Sequence, residues 1–257
     1  MSETVYTPPA GLRGKAARFA ARTLAKHSFN VRPERAVVSF TFDDFPRSAM
    51  LEAGAQLEAR GWRATFFTAG GFEGQRNHHG ELFTADDLSR LAEAGHEIGC
   101  HTFSHRDART ASTSDFLGDI DQNAAFLGRC GVVDAPKSFA FPFGEATPSL
   151  KRALMSRFSA VRGVQPGINR GRADRALLKG TPLDGGLPGL QRAVDAVREV
   201  SMRPGWLIFY GHDIQDRPSE WGCTPEFFAA VVDAVAASGA EVLTMAEAVA
   251  RLDADAS

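Results

Sequence analysis

The sequence has few cysteines and no long apolar run, which argues against a disulfide-rich protein and against a membrane-spanning one. Cys100, Cys130 and Cys223 are too sparse for a disulfide framework or a zinc ribbon and are typical of a reducing compartment. No stretch approaches the roughly 18 apolar residues of a membrane span. Residues 1–27 lack the apolar core and cleavage site of a secretory signal. We therefore expect a cytoplasmic location, with peripheral association with the inner membrane as the alternative.

The chain also lacks an excess of basic residues. Its 29 lysines and arginines are balanced by 31 acidic residues, so the formal net charge is −2, and no nucleic-acid partner is expected. At 257 residues, 44% of them hydrophobic, the chain can bury a core without cross-links. This length suits a single α/β barrel.

Apolar segments rich in Val, Phe, Ile and Thr alternate with helix-like segments. The predicted strands are Ala36–Phe42, Ala64–Thr68, Glu97–Thr102, Ser138–Phe141, Ser159–Val164, Trp206–Tyr210 and Glu241–Thr244. The predicted helices are Pro46–Arg60, Thr84–Ala94, Thr113–Arg129, Thr147–Arg157, Pro188–Met202, Thr224–Ser238 and Met245–Leu252. Because parallel strands need crossovers, this order predicts an α/β barrel, closed or nearly so, with functional residues at the carboxyl ends of its strands.

Residues 1–35 are expected to form an N-terminal extension to a barrel domain of residues 36–257. Within the extension, several apolar residues fall near one helical face and predict a short amphipathic helix. These residues are Leu12, Ala16, Phe19, Ala20 and Leu24. The helix could touch anionic lipid through its basic residues or pack on the closed end of the barrel. The alanine-rich face favours packing.

Two adjacent carboxylates, Asp43 and Asp44, end the first predicted strand. Burying such a pair is costly unless a positive group lies beside it. One interpretation is that one carboxylate binds a metal while the other acts as a general base. The alternative is a helix N-cap, a position that aspartate favours.

Two histidines four residues apart, His101 and His105, follow the third predicted strand. A fully extended chain would separate them by roughly 13 Å, too far for two nitrogens on one zinc ion. If both bind one metal, the chain must turn sharply after His101. Together with Asp44 they would leave coordination positions open for water and substrate, as in a catalytic site. Zn²⁺ suits this set best, with Co²⁺, Ni²⁺ or Mn²⁺ as alternatives.

Two further segments end predicted strands at the same mouth. After the fourth strand come Pro142 and Phe143, where a backbone N–H could face a developing oxyanion, although a plain turn is the simpler interpretation. After the sixth strand comes His212, a candidate general acid because histidine titrates near neutral pH.

In this order, the four segments resemble the polysaccharide deacetylases of the NodB-homology type, carbohydrate esterase family 4. The chain is most similar to bacterial exopolysaccharide and holdfast-adhesin deacetylases that act on N-acetylglucosamine-type units. The matching segments are Thr41–Asp44, Gly95–His105, Phe141–Gly144 and His212. The resemblance implies an incomplete (β/α) barrel of seven strands. It also implies a metal-dependent hydrolase that removes N-acetyl groups from a bacterial polysaccharide, such as an exopolysaccharide or adhesin precursor.

The resemblance implies a role for each site residue. The implied metal ligands are Asp44, His101 and His105, with Asp43 as general base and His212 as general acid. The N–H of Phe143 would bind the oxyanion. Trp221 and Pro142 would contact the sugar, although Trp221 could equally pack on the barrel rim.

The chain departs from the family pattern near the general base. Many members carry an arginine two residues before the motif's proline, and this position is Ala140 here. The aspartate motif that tunes the acid histidine is not evident, and Asp174 is the candidate for that role. We interpret His78 and His79 as part of a solvated loop, the alternative being the border of the substrate groove.

The expected partner is a glycan with N-acetylated sugars, and a homodimer is compatible with the sequence. Two alternatives stay open: a hydrolase of another N-acyl group, such as formyl, or of a small amide, and a non-catalytic carbohydrate-binding relative. Loss of the arginine at position 140 supports the second. Retention of Asp43 beside the metal-ligand set argues against it, because a binding protein has no need of a free base.

Overall fold

The computed structural model describes residues 11–255, and so the first ten residues of the expected extension lie outside the described part. The strands, in chain order, are β1 (Ser28–Val31), β2 (Val37–Asp43), β3 (Thr65–Thr68), β4 (Arg76–Asn77), β5 (Gly80–Glu81), β6 (Glu97–Cys100), β7 (Ser138–Ala140), β8 (Ala160–Arg162), β9 (Gly171–Asp174), β10 (Thr181–Pro182), β11 (Trp206–Gly211) and β12 (Glu241–Val242). All seven predicted strands are present among them.

A parallel sheet forms the centre of the molecule. Its strand order is β10-β11-β2-β3-β6-β7-β8, and β12 also pairs with β2. Every pairing in this sheet is parallel. All seven residues of β2 are buried, as expected for a strand covered on both faces. The sheet curves into a half-barrel, and the predicted incomplete (β/α) barrel is therefore confirmed.

Helices connect and cover the strands. They are α1 (Leu12–Thr23), α2 (Ala55–Glu58), α3 (Ala85–Glu93), α4 (Thr113–Arg129), α5 (Pro148–Leu154), α6 (Gly186–Met202), α7 (Pro225–Ser238) and α8 (Met245–Ala254). The predicted Pro46–Arg60 helix is shorter and includes a π-helical turn, Ala49–Gly54. A capping box begins α3, because Thr84 and Asp87 each bind the other's backbone. Within residues 11–255, no helix is long and apolar enough to cross a membrane.

Two short antiparallel pairs of strands, which were not predicted from the sequence, lie outside the central sheet. Strand β1 pairs with β9 and joins the expected extension to the barrel, while β4 and β5 form a small hairpin. These segments were missed because two to four residues are too few to establish a period in the sequence.

Helix α1 does not pack as expected. It contacts the protein through the buried Gly14 and Ala21, whereas Leu12 and Phe19 are 85% and 69% exposed. An ion pair of 3.1 Å joins its Arg18 to Glu145, in the turn that follows β7. The helix therefore stands beside the mouth of the barrel, and the expectation that its apolar face packs on the closed end is wrong.

Candidate active site

The adjacent aspartates lie together at the carboxyl end of β2. Strand alternation would point one of them away, but the chain turns into the left-handed region at Asp44 (φ 62°) and Phe45 (φ 53°). Both carboxyl groups consequently interact with the imidazoles of His101 and His212. Each aspartate is only 4% exposed, so each needs a positive partner to stay charged.

Asp44 lies between two imidazoles in a geometry suited to a metal ion. Its Oδ1 atom is 3.5 Å from Nε2 of His101 and 3.4 Å from Nε2 of His105. Tetrahedral ligands at about 2.05 Å from zinc lie roughly 3.4 Å apart. This Oδ1 is buried and has no hydrogen-bond partner, a costly state that a cation would relieve. The predicted ligand set therefore fits a divalent metal.

The chain turns sharply after His101, as sharing one ion requires. Thr102 adopts the left-handed conformation (φ 62°), and so does His105 (φ 51°). The Asp119 carboxylate holds the turn by accepting from the backbone N–H groups of Phe103 and Ser104. The two imidazole centroids are consequently 4.9 Å apart.

Backbone strain is concentrated at this mouth. Within residues 11–255, six non-glycine residues have positive φ, and all except Ala25 belong to the site segments. These five are Asp44, Phe45, Thr102, His105 and Phe143. Such conformations cost of order 1–3 kcal/mol each and typically cluster at functional sites.

The surrounding structure orients His101 as a ligand. Its Nδ1 donates to the carbonyl of Ala140 at 2.8 Å, which leaves the Nε2 lone pair facing Asp44. A ring nitrogen committed in this way is the usual support of a metal-bound histidine.

Arg162 neutralises Asp43. It is fully buried and its guanidinium forms a close ion pair with Asp43 Oδ1. It also lies over the rings of Phe67 and Tyr210, at 5.2 and 5.0 Å from their centroids. This residue was not predicted to belong to the site, although a single arginine within the apolar run around β8 is an unusual feature of the sequence.

The position of Arg162 accounts for the departure at Ala140. In the register of β7 with β8, Ala140 is paired with Arg162. The arginine expected at position 140 is therefore supplied from the adjacent strand, where Arg162 forms the ion pair with Asp43.

The two aspartates of the site are ionised near neutral pH, whereas the imidazoles of His105 and His212 are uncharged. Burial raises the pKa of Asp43, but Arg162 and the nearby imidazoles outweigh it and hold that pKa below its usual value. The pKa of Asp44 is likewise lowered by its imidazole neighbours despite burial. Burial lowers the pKa of His105 and of His212 to about 4. Near neutral pH both imidazoles therefore have a free nitrogen lone pair.

His212 stands on the far side of Asp44, after β11. Its Nδ1 donates to the carbonyl of Trp221 at 3.3 Å, so the backbone of Trp221 orients it. The Trp221 ring remains 39% exposed, which leaves the predicted sugar contact available. His212 also stacks on His79, with 4.5 Å between centroids and 12° between planes.

His79 lies in the turn between β4 and β5 but is buried, so our interpretation of it as part of a solvated loop was wrong. It is 2% exposed, and its Nε2 lies 3.7 Å from Asp44 Oδ2. Its Nδ1 lies 3.1 Å from Asp213 Oδ1, a carboxylate that also accepts from Ser219. The neighbouring His78 is exposed, as expected.

A second group of potential metal ligands therefore shares Asp44. It consists of Asp44, His79 and His212, beside the first group of Asp44, His101 and His105. The sequence signal for His79 was the polar turn between β4 and β5. In that turn the Asn77 side chain accepts from the His79 N–H.

Asp174 has other partners than His212. One of its oxygens accepts from Lys151 Nζ at 2.6 Å, and the other accepts from the backbone of His27 and Ala176. The expected tuning of His212 by Asp174 is therefore not the arrangement found. Asp213 is the carboxylate next to the two stacked imidazoles.

The turn after β7 lies against the metal-ligand set. Pro142 is buried in it, and the ring of Phe143 contacts His105 with 4.4 Å between centroids. Phe143 has φ 59° and is 36% exposed. The turn thus forms one wall of the mouth.

Comparison with known proteins agrees with this architecture. The sequence model of the family described as polysaccharide deacetylase matches residues 30–157. A peptidoglycan-N-acetylglucosamine deacetylase from Bacillus cereus is 29% identical over 141 residues, 53% of this chain and 47% of that protein. The chain spans less than half the length of the curated relatives it matches.

Two solved structures share the fold. The chitin deacetylase of Colletotrichum lindemuthianum superposes with a TM-score of 0.63 at 19% identity, covering 86% of this chain and 90% of that one. A family 4 acetyl xylan esterase from Clostridium thermocellum, in complex with a cobalt ion, gives 0.58 at 24% identity, covering 82% and 89%. The family model thus matches just under half of the chain, and the two solved structures show that the fold is shared.

Proposed function

We propose that this protein is a metal-dependent hydrolase that removes N-acetyl groups from N-acetylglucosamine-type units of a bacterial polysaccharide, such as an exopolysaccharide or adhesin precursor. One observation carries the proposal. Asp44 has an orphaned, buried oxygen at tetrahedral spacing from two imidazoles, while the adjacent Asp43 already has a cation partner in Arg162. One carboxylate is thus suited to a metal and the other to a proton.

Asp44, His101 and His105 would hold the divalent cation, with Zn²⁺ as the first candidate and Co²⁺, Ni²⁺ or Mn²⁺ as alternatives. When bound, such a cation supplies Lewis acidity toward an acyl oxygen and lowers the pKa of water from about 15.7 toward 7. The hydrogen bond from His101 to the Ala140 carbonyl keeps one ligand fixed during turnover.

Asp43 acts as the general base. Because its pKa is held below the usual value, it is ionised near neutral pH and accepts the proton of the attacking water. Arg162 keeps the carboxylate in one orientation through its ion pair and its contacts with two aromatic rings. General base catalysis of this kind contributes typically 10²–10⁴-fold.

His212 acts as the general acid at the leaving nitrogen. Its Nδ1 hydrogen is committed to the carbonyl of Trp221, and burial keeps the ring uncharged near neutral pH. Nε2 therefore first takes up the proton that Asp43 has accepted from the attacking water, and then gives it to the leaving nitrogen. The N–H of Phe143 stabilises the oxyanion of the tetrahedral intermediate. Pro142 shapes that wall of the mouth, and the exposed ring of Trp221 stacks on a sugar.

Acetate release from N-acetylated chitooligosaccharides tests the proposal. The zinc-loaded protein is expected to release acetate, to lose this activity with a chelator and to regain it when zinc is restored. Asp43→Asn is the matched control, since it removes the base but leaves Asp44 and both imidazoles in place. Absence of acetate from every oligosaccharide tried with the zinc-loaded protein would contradict the proposal.

A further inference from the structure

A basic cavity lies between the end of helix α1 and the segment that follows β8. Its volume is about 580 Å³, within the range of small-ligand sites. Five cationic side chains line it, Arg170 and a group of four. The four are Arg22, Lys26, Arg172 and Lys179.

These four charges are not neutralised within the part of the chain that the structure describes. The cavity's fifth cation, Arg170, pairs with Glu199 at 3.0 Å, and its acidic residue, Asp174, pairs with Lys151 at 2.6 Å. No carboxylate among residues 11–255 forms an ion pair with the other four cations. Because the whole chain has a net charge of −2, this local excess is a specific feature of the cavity.

The walls of the cavity are held in place. Lys151 is fully buried, and its Nζ donates to the carbonyls of Ala21 and Leu24 at the end of α1 as well as to Asp174 on β9. Three donors on one ammonium thus tie α1 to β9, which fixes the backbone elements on two sides of the cavity. Such preorganisation favours tight binding.

The basic cavity adjoins a second cavity that reaches the turn after β7. This second cavity has a volume of about 290 Å³, and Phe143 and Gly144 are among the residues that line it. Arg22, Gln165 and Leu177 line both cavities. Since the ring of Phe143 contacts His105, the second cavity has one wall residue in common with the candidate active site.

We propose that the basic cavity binds the diphosphate group of a glycosyl diphosphate whose N-acetylated sugars extend past Phe143 to the active site. Arginine and lysine are the side chains that best recognise phosphoryl oxygens. A neutral glycan would gain nothing from these four cations, whereas a diphosphate has the opposite charge and several oxygens that accept hydrogen bonds from them. The identity of the sugar rests on the proposed function, but anion binding at the cavity does not.

Calorimetric titration with inorganic pyrophosphate tests the cavity on the full-length, zinc-loaded protein. The wild type is expected to bind, and the double variant Arg172→Gln/Lys179→Gln to bind at least about tenfold more weakly, because charge-assisted contacts are lost. Arg152→Gln on α5 is the matched control, an exposed arginine outside the cavity, and its affinity should stay within about twofold of wild type. Equal affinity of the double variant and the wild type, or no pyrophosphate binding at about 10 mM, would overturn the proposal.

A vesicle arm separates a soluble diphosphate from a lipid surface. The double variant should weaken binding to phosphatidylglycerol vesicles, measured by flotation, less than it weakens binding of pyrophosphate. If the double variant abolishes vesicle binding while the protein fails to bind pyrophosphate, the cavity recognises a membrane surface and the proposal is wrong. Acetate release from neutral chitooligosaccharide is measured in parallel. Its absence would contradict the proposed function, while the pyrophosphate titration still decides the cavity.

Discussion

The two halves of the candidate site differ in how they neutralise a buried carboxylate. On one side Asp43 has a built-in cation, because Arg162 is buried against it and fixed by aromatic rings. On the other side Asp44 faces imidazoles, and one of its oxygens has no hydrogen-bond partner. The two adjacent aspartates are therefore equally buried, but Asp43 already has a cationic partner whereas Asp44 is suited to binding a cation.

This difference indicates a separate chemical role for each of the two aspartates. A carboxylate with a permanent arginine partner stays ionised without a metal, so it can exchange a proton in each cycle. A buried carboxylate that faces imidazoles and has one oxygen without a hydrogen-bond partner gains a permanent counter-charge when a cation binds. The asymmetry supports Asp43 as the base and Asp44 as the metal ligand, and each prediction below tests one side of it.

The largest effect is expected on the metal side. His101→Ala removes a ligand and leaves the Ala140 carbonyl without its donor, so the protein should lose both bound metal and activity. A metal ion contributes several kcal/mol to transition-state stabilisation, which corresponds to roughly 10³-fold or more in acetate release. Metal content by mass spectrometry should fall in parallel. Full metal occupancy in this variant would exclude His101 as a ligand.

The next effect is expected on the arginine side. Arg162→Met leaves Asp43 buried and unpaired, which should destabilise the protein by about 3–5 kcal/mol in denaturant unfolding. The double variant Asp43→Asn/Arg162→Met should recover much of this stability, and Arg157→Met, at an exposed arginine paired with Asp121, is the matched surface control.

The same Arg162→Met substitution should change the pH profile. Arg162 holds the pKa of Asp43 below its usual value, so its loss raises that pKa, and the acidic limb of kcat/KM should move to higher pH. The Asp43–Arg162 contribution to stability is present at neutral pH and is lost as pH falls through the lowered pKa of Asp43. An unchanged acidic limb would show that Asp43 is not the titrating base.

A smaller effect is expected for the second group of imidazoles. His79→Ala removes the ring that stacks on His212 and contacts Asp44, and should lower kcat about tenfold, the lower end for residues that support a metal site. Metal should remain bound, since His101 and His105 are untouched. The adjacent His78→Ala is the matched control at an exposed position. Equal activity of both variants with the wild type would remove His79 from the site.

The smallest effect is expected at Trp221. Trp221→Ala removes the exposed ring but retains the carbonyl that accepts from His212. The KM for chitooligosaccharide should rise by about 2–10-fold, as expected for loss of one ring contact, with kcat nearly unchanged. A fall in kcat alone would indicate that the indole positions His212 and does not bind sugar.

Local patterns were sufficient to predict the barrel and the residues brought together at its mouth. The fold prediction is confirmed because strand composition and strand–helix alternation are local features, and the carboxyl ends of parallel strands meet at one edge. The roles assigned to Asp43, Asp44, His101 and His105 stay predictions, although the geometry fits them. The turn needed after His101 is provided by Thr102 in the left-handed region.

The parts that could not be predicted depend on which elements are neighbours in space. Arg162 is the partner of Asp43 only because β8 lies next to β7 with Ala140 opposite it. His79 is buried only because Asp213 and Ser219, more than 130 residues away, fix its ring. Asp174 was misassigned for the same reason, since it lies on β9 and its partner Lys151 comes from helix α5.

The central claim is that Asp44 binds the metal while Asp43 handles the proton. Metal stoichiometry in Asp43→Asn and Asp44→Asn, each incubated with zinc and freed of excess, tests it most directly. We expect close to one zinc per chain in Asp43→Asn, with acetate release reduced by about 10²–10⁴-fold, and no retained zinc in Asp44→Asn. Retention of zinc in Asp44→Asn together with its loss in Asp43→Asn would reverse the assignment and contradict the account.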